Sequence, residues 1–163
     1  MAKAMFVWPY PNKKDLFSRV IQAVDGKDAP VHAVIVLKDS YVEALPQGTV
    51  QSPLGKYSDR PYEIYEVPVL HTECADAIAH LLIGRLYGWI SCFAGWLRDR
   101  WGIKVPWVST SFDDCSEDLL IWLRGQTLVQ DLFGIESPMS ITPKDLRDEI
   151  IRKGGILIEK NLR

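Results

Sequence analysis

The stretch FDDCSEDLL, at positions 112–120, places Cys115 at the beginning of a predicted helix. Acidic residues precede the cysteine and three leucines follow it at helical spacing, so the pattern predicts an amphipathic helix from about residue 113 to residue 124. The first backbone N–H groups of a helix lack intrahelical acceptors, and they carry the positive end of the helix dipole. These groups favour a thiolate and can stabilise an oxyanion, so the pattern is typical of a nucleophilic cysteine.

Negative charge close to the cysteine makes a partner necessary. Asp113, Asp114 and Glu117 disfavour the thiolate form of Cys115, so the helix start alone does not activate the sulfur. We therefore expect a histidine beside it. The alternative is that Cys115 is a buried residue that packs as a small hydrophobic side chain.

A histidine and a carboxylate are available in two predicted strands. The stretch PVHAVIVL, at positions 30–37, is rich in β-branched residues, and a second strand is predicted at 41–45 after a polar break. If these strands pair, Glu43 comes beside His32 and can orient the imidazole and stabilise its charged form. The plainer alternatives are that His32 is a hydrogen-bonded core residue and that Glu43 is a solvated charge of a hairpin.

The other segments predict an α+β fold in which an antiparallel sheet packs against helices. Further strands are predicted at 49–51, 62–69 and 156–159, and helices at 12–24, 73–86 with Thr72 as the cap, 89–100 and 142–151. The sequence shows no internal repeat and no linker rich in Gly, Ser or Pro. We therefore expect a single domain over residues 1–163.

Composition excludes several classes of protein. Of the 163 residues 47% are hydrophobic and 25% are charged, which is typical of a globular chain rather than a disordered one. Nineteen basic and twenty-one acidic residues leave a net charge of -2, so nucleic acid is not an expected partner. The three widely spaced cysteines are unlike a disulfide scaffold and favour a reducing compartment.

The chain also lacks a recognisable export or membrane signal. Its first fourteen residues contain no apolar run of signal-peptide length. The only long apolar tract, 75–97, is interrupted by a histidine, an arginine and three glycines, so we interpret it as two buried helices rather than a transmembrane segment. The expected location is the cytoplasm.

Several short motifs resemble those of one family, the NlpC-type papain-like amidases and peptidases. YGW at 87–89 and FDDCSE at 112–117 resemble its Tyr-x-Trp segment and the Asp-Cys-Ser motif at a helix start, and HAVIVL at 32–37 with VEA at 42–44 resembles its histidine strand and the strand after it. His32 precedes Cys115 here, which is the order of the circularly permuted branch. GTV at 48–50 and ITPKDL at 141–146 also resemble segments of permuted members.

The resemblance implies a papain-like fold and assigns a role to each site residue. Cys115 would be the nucleophile, His32 the general base and Glu43 the orienting third residue, while Tyr87 would lie near the substrate. The implied activity is cleavage of an amide, of the peptide or cell-wall peptide type, through a thioacyl enzyme. No metal or organic cofactor is implied.

Three alternatives remain beside this interpretation. A zinc site could use His71 and Cys74, although structural zinc sites usually have four ligands in two close pairs and this is one pair. The other candidate ligands, Cys92 and His80, lie in an apolar helical pattern. A lipid acyl hydrolase or acyltransferase is possible because permuted members also resemble the lecithin retinol acyltransferase group, and the apolar segment 90–107 could line an acyl groove. A catalytically inactive binding or structural module would use its clustered Trp and Arg residues for a partner.

Overall fold

The computed structural model describes residues 2–10, 18–19, 22, 26–68, 74–87, 112–113, 115–126 and 141–161. The strands are β1 (Ala2–Val7), β2 (His32–Val36), β3 (Ser40–Leu45), β4 (Gly48–Pro53), β5 (Tyr62–Val67), β6 (Leu86–Tyr87), β7 (Phe112–Asp113) and β8 (Ile156–Asn161). The helices are α1 (Ala75–Leu82), α2 (Cys115–Gln126) and α3 (Pro143–Arg152).

Six strands form one open antiparallel sheet in the order β4-β3-β2-β1-β5-β8. The predicted α+β class with an antiparallel sheet is therefore confirmed. Strand β1, which the sequence analysis did not predict, lies in the interior of this sheet between β2 and β5. Its neighbouring residues Met5 and Phe6 point to opposite faces and are both fully buried, so its sequence lacks the alternation of a half-exposed strand.

Helix α2 packs across β2 and β3, as predicted for the helix that begins at Cys115. Its buried Leu119, Leu120 and Leu123 belong to the same core as Ile35 and Val42 of the sheet. Burial of each leucine side chain contributes about 1.5–3 kcal/mol, so several such contacts fix the helix on the sheet. A smaller core covers the opposite face and contains Met5, Val7, Val34, Tyr41, Tyr57 and Ile64.

Helix α1 ends four residues before the predicted helix 73–86, so that prediction was wrong at its C-terminal end, while residue 73 lies outside the described residues. It begins at Ala75 and ends at Leu82. The backbone leaves the helix at Ile83, which is extended with a ψ of 131°. Gly84 then adopts a φ of 91°, and the Arg85 carbonyl accepts a 2.8 Å hydrogen bond from the Thr49 N–H of β4. These contacts direct the chain into β6, which pairs in parallel with β7.

The C-terminal elements follow the predicted pattern. The Thr142 hydroxyl accepts a 3.2 Å hydrogen bond from the Asp145 N–H, and the Asp145 carboxylate accepts one from the Thr142 N–H, which is a complete capping box for α3. Strand β8 continues two residues beyond the predicted 156–159. Strand β5 ends at Val67 rather than at residue 69, and Pro68 follows it.

Two predicted helices, 12–24 and 89–100, lie mainly or wholly outside the described residues. Ser18, Arg19 and Gln22 are described, and all three are helical. None of the helices in the described part of the chain has the length and apolar character needed to cross a bilayer.

Candidate active site

His32 and Glu43 lie side by side, as the strand pattern predicted. Nε2 of His32 is 2.8 Å from Oε2 of Glu43. Strands β2 and β3 pair with Ile35 opposite Val42, and continuing this antiparallel register places Glu43 opposite Val34, two residues from His32 on the same face. The short hairpin therefore brings the two side chains together.

The carboxylate of Glu43 is buried and has several hydrogen-bond donors, so the hairpin-charge alternative is wrong. Its side chain is 0% exposed, Lys56 Nζ donates to Oε1 at 2.7 Å, and the Tyr57 hydroxyl donates to Oε2. Burial alone would raise the pKa of Glu43. Hydrogen bonds from His32, Lys56 and Ser52, together with the charge of His32, outweigh burial and lower this pKa to about 2.

The low pKa of Glu43 determines which atom of the pair donates. An ionised carboxylate has only acceptor sites, so Nε2 of His32 carries the proton and donates it to Oε2. In the neutral ring Nδ1 is then the nitrogen with a free lone pair. Any proton that His32 accepts is therefore accepted by Nδ1.

Tyr57 contacts the ring of His32 and interacts electrostatically with Cys115. Its ring centroid is 5.9 Å from that of His32. The pKa of Tyr57 is raised by burial first, then by the charge and hydrogen bond of Glu43 and by the charge of the Cys115 side chain, while Arg60 opposes the rise. Tyr57 therefore remains protonated and acts as a hydrogen-bond donor to Glu43.

Cys115 is the first residue of α2 and is buried, with 4% exposure. One helical turn later, the buried Asp118 accepts a hydrogen bond from the Thr49 hydroxyl of β4. This contact joins the first turn of α2 to the sheet edge that contains the GTV motif. The helix start is therefore held by its leucines on one side and by a buried polar contact on the other.

The backbone of Tyr87 lies beside the segment that leads into the cysteine. In the parallel pairing of β6 with β7, Tyr87 is the partner of Asp113, two residues before Cys115. The two segments that resemble the family's nucleophile region are thus adjacent in the fold. This places Tyr87 close to the chain around the candidate nucleophile.

Sequence reasoning missed four residues of this region: Thr49, Lys56, Tyr57 and Asp118. Lys56 and Tyr57 follow β4 in a turn region where no periodic pattern marks a residue as buried or exposed. Thr49 lay within the GTV motif, which was the only sequence signal that could have drawn attention to it. The buried Glu43 explains the donors because a buried charge needs compensating contacts.

Cys74 falls within an apolar helical pattern of the sequence, which predicts that its thiol is buried. This prediction is wrong, because Cys74 precedes α1 as its N-cap and is exposed. His71 and Cys92, two members of the zinc alternative, lie outside the described residues. Within the described ranges, no group of three or more His, Cys, Asp or Glu side chains could hold a metal ion.

Comparisons of the chain with protein-family models, with curated proteins and with solved structures found no match. The interpretation of the site therefore depends on the residues and contacts described above.

Proposed function

We propose that the protein is a cysteine hydrolase that cleaves an amide, of the peptide or cell-wall peptide type, through a thioacyl enzyme. The proposal includes a papain-like fold of the permuted NlpC type. The observation that carries it is the 2.8 Å contact between His32 and the fully buried carboxylate of Glu43. The pair lies on β2 and β3, whose other face packs against the Cys115 helix.

The stability of the fold does not by itself require a buried pair of His32 and Glu43. Removing two charged groups from water costs several kcal/mol per ion, and apolar residues of similar size often stabilise a fold equally well. A histidine with a fixed ring orientation and one free basic nitrogen is instead what a general base requires. The polar cluster around Glu43 is therefore better explained by chemistry than by packing.

In the proposed reaction, Nδ1 of His32 takes the proton from the Cys115 thiol and the thiolate attacks the carbonyl carbon of the substrate. Backbone N–H groups at the start of α2 stabilise the negative oxygen of the tetrahedral intermediate. The imidazolium then returns its proton to the leaving amine as the carbon–nitrogen bond breaks. Water, deprotonated by His32, hydrolyses the resulting thioester and restores the thiol. Glu43 orients the ring and stabilises its charged form throughout.

The first experiment measures the alkylation of each cysteine by iodoacetamide near neutral pH, followed by peptide mapping. We expect His32→Ala to slow the labelling of Cys115 by about tenfold or more, because the thiol loses its base. The matched control is His80→Ala, which removes an exposed histidine of α1. Cys74 is exposed and serves as an internal reference whose rate should be equal in all three proteins.

Equal labelling of Cys115 in the wild type and in His32→Ala would contradict the proposal and favour an inactive binding or structural module.

A second measurement tests the acyl intermediate directly. Incubation with a peptide thioester should add the mass of the peptidyl group at Cys115 in the wild type and leave Cys115→Ser unmodified.

A lipid acyl ester is the second candidate substrate because large apolar side chains are exposed next to the Tyr87 segment. Leu81 at the end of α1 is 80% exposed and Leu86 of β6 is 59% exposed, with Ile83 between them. The exposure of Leu81 also corrects the prediction of a wholly buried helix there. Hydrolysis of long-chain esters but not of peptide amides would select this second candidate.

A further inference from the structure

Two neighbouring residues, Lys56 and Tyr57, contact the carboxylate that orients the histidine. Lys56 Nζ lies 2.7 Å from Oε1 of Glu43, and the Tyr57 hydroxyl donates to Oε2, the oxygen that also accepts from His32. Both residues lie in the segment between β4 and β5 rather than in the sheet itself. A single short segment therefore supplies donors to both oxygens of Glu43.

We propose that Lys56 and Tyr57 are positioning residues, which hold the Glu43 carboxylate toward His32, and that Lys56 sets the pH range in which Cys115 becomes reactive. This inference rests on the proposed function, because a positioning role requires a dyad to position.

The geometry supports a fixed carboxylate plane. A glutamate side chain has three rotatable bonds, and its carboxylate can turn unless both oxygens are held. Here Oε2 accepts from His32 and Tyr57 while Oε1 accepts from Lys56. Hydrogen bonds to an ionised carboxylate are about twice as strong as neutral ones, so the two added donors restrict rotation effectively. The imidazole bound to Oε2 is oriented by the same contacts.

Charge balance gives Lys56 a second effect. The titratable and charged groups that bear on Cys115 are His32 from β2, Glu43 from β3, Lys56, Tyr57 and Arg60 from the segment between β4 and β5, Asp118 from α2, and the acids next to the cysteine in the sequence, Asp113, Asp114 and Glu117. Lys56 pairs directly with the Glu43 carboxylate, which also accepts from the imidazole. Its removal leaves the charge of Glu43 less compensated, and a less compensated negative charge disfavours a nearby thiolate.

The two substitutions therefore have different expected effects. Lys56→Met changes the charge of the cluster and should move the pH dependence of Cys115 reactivity, whereas Tyr57→Phe leaves the charge unchanged and removes one donor. We expect Lys56→Met to raise the pH of half-maximal alkylation by about half a unit to one unit. Tyr57→Phe should lower the maximal rate by about three- to tenfold, with a smaller change in the midpoint.

The experiment follows the alkylation of Cys115 by iodoacetamide from pH 4 to pH 9, with peptide mapping at each pH. The chain offers a matched control for each substitution. Lys160 pairs at 2.8 Å with the buried Glu63, and the Tyr65 hydroxyl donates to the same carboxylate at 2.8 Å. Lys160→Met and Tyr65→Phe thus remove equivalent contacts from a different buried carboxylate, and both should leave the Cys115 profile unchanged.

Lys56→Arg provides the conservative rescue because it retains the positive charge, and its midpoint should lie within about 0.3 units of the wild-type value. Lys56 is about one-third exposed, so its variants are expected to fold, and thermal unfolding of each variant verifies this. A merely structural contact would lower the unfolding temperature without moving the pH profile.

The outcomes separate the two proposals. His32→Ala could slow the alkylation of Cys115 while Lys56→Met and Tyr57→Phe leave the alkylation rate and its pH midpoint unchanged. In that case the positioning role is overturned and the hydrolase proposal stands. If His32→Ala itself has no effect, both proposals are wrong. A shifted midpoint in Lys56→Met that Lys56→Arg restores supports the inference.

Discussion

Nε2 of His32 donates to Oε2 of Glu43 across 2.8 Å, although the two residues are eleven positions apart and on different strands. The carboxylate is fully buried and the histidine side chain is 12% exposed, so water screens the pair poorly. Leaving either partner buried alone would cost about 3–5 kcal/mol. The pair thus links the stability of the sheet to the chemistry proposed for Cys115.

The stability of the protein should depend on pH through Glu43. Its pKa falls from 4.5 to about 2 on folding, so its contribution is fully present above pH 4.5 and is lost as the pH falls through about 2. This shift corresponds to about 3 kcal/mol. We expect the free energy of unfolding, measured with urea from pH 2 to pH 7, to decrease over this window in the wild type. Glu43→Gln should be less stable at pH 7 and should show a smaller decrease.

Asp148→Asn is the control for that experiment, because Asp148 is about half exposed and its ion pairs with Lys144 and Arg147 lie at the surface. Exposed pairs contribute little to stability, so the acid dependence of this variant should resemble that of the wild type. An unchanged acid dependence in Glu43→Gln would contradict the assignment.

A crystal structure should show Sγ of Cys115 within about 4 Å of Nδ1 of His32, the ring nitrogen that Glu43 leaves available. The alternation along β2 puts His32 on the face opposite Ala33 and Ile35, which pack in the core beneath α2. The contact therefore has to form at the end of the strand, where His32 is the first residue. If side chains of the main core lie between the Cys115 sulfur and the His32 ring, the pairing of these two residues is contradicted.

The pairing of His32 with Glu43 was predictable because it depends on local information. Two strands joined by a short turn pair in antiparallel fashion, and the alternation of side chains then decides which residues share a face. The cap of α3 was predictable for the same reason, since Thr142, Pro143 and Asp145 lie within one turn.

Features that depend on distant contacts were not predictable from local pattern. The donors Lys56 and Tyr57 reach Glu43 from thirteen and fourteen positions away and follow no periodicity. The chain after α1 is bound to β4 through the Arg85 carbonyl, a contact that the sequence of the helix does not encode. Cys74 is exposed as the N-cap of α1, and the buried face of this helix begins with Ala75.

The hydrogen bond from Thr49 to Asp118 should stabilise both the fold and the start of α2. The two atoms are 2.5 Å apart and both residues are buried. A hydrogen bond to a charged group contributes about 1.5–3 kcal/mol, so Thr49→Val should lower the free energy of unfolding by a similar amount. Thr49→Ser keeps the hydroxyl and should retain most of this stability.

Chemical denaturation of the two Thr49 variants decides this point, and alkylation of Cys115 shows whether the helix start has moved. We expect Thr49→Val to slow that alkylation by a few fold, because the first turn of α2 loses an anchor. Equal stability of the Thr49→Val and Thr49→Ser proteins would mean that the hydroxyl contact does not hold the helix.

Gly48 should be intolerant of a side chain because β4 approaches the chain after α1 closely there. Its φ is 114°, and a Cβ would lie 2.7 Å from the Arg85 carbonyl oxygen, which accepts a hydrogen bond from the Thr49 N–H.

Gly55 also has a positive φ, 85°, but no atom of the described residues lies within 4 Å of its Cβ position. Gly55→Ala should therefore cost only backbone strain, about 1–2 kcal/mol, whereas Gly48→Ala should cost at least about 1 kcal/mol more in urea denaturation. The displaced Arg85 carbonyl precedes Tyr87 and its pairing with β7, so Gly48→Ala should also slow the alkylation of Cys115 while Gly55→Ala should not. Equal losses of stability in the two alanine variants would show that the close approach to Arg85 does not constrain the position.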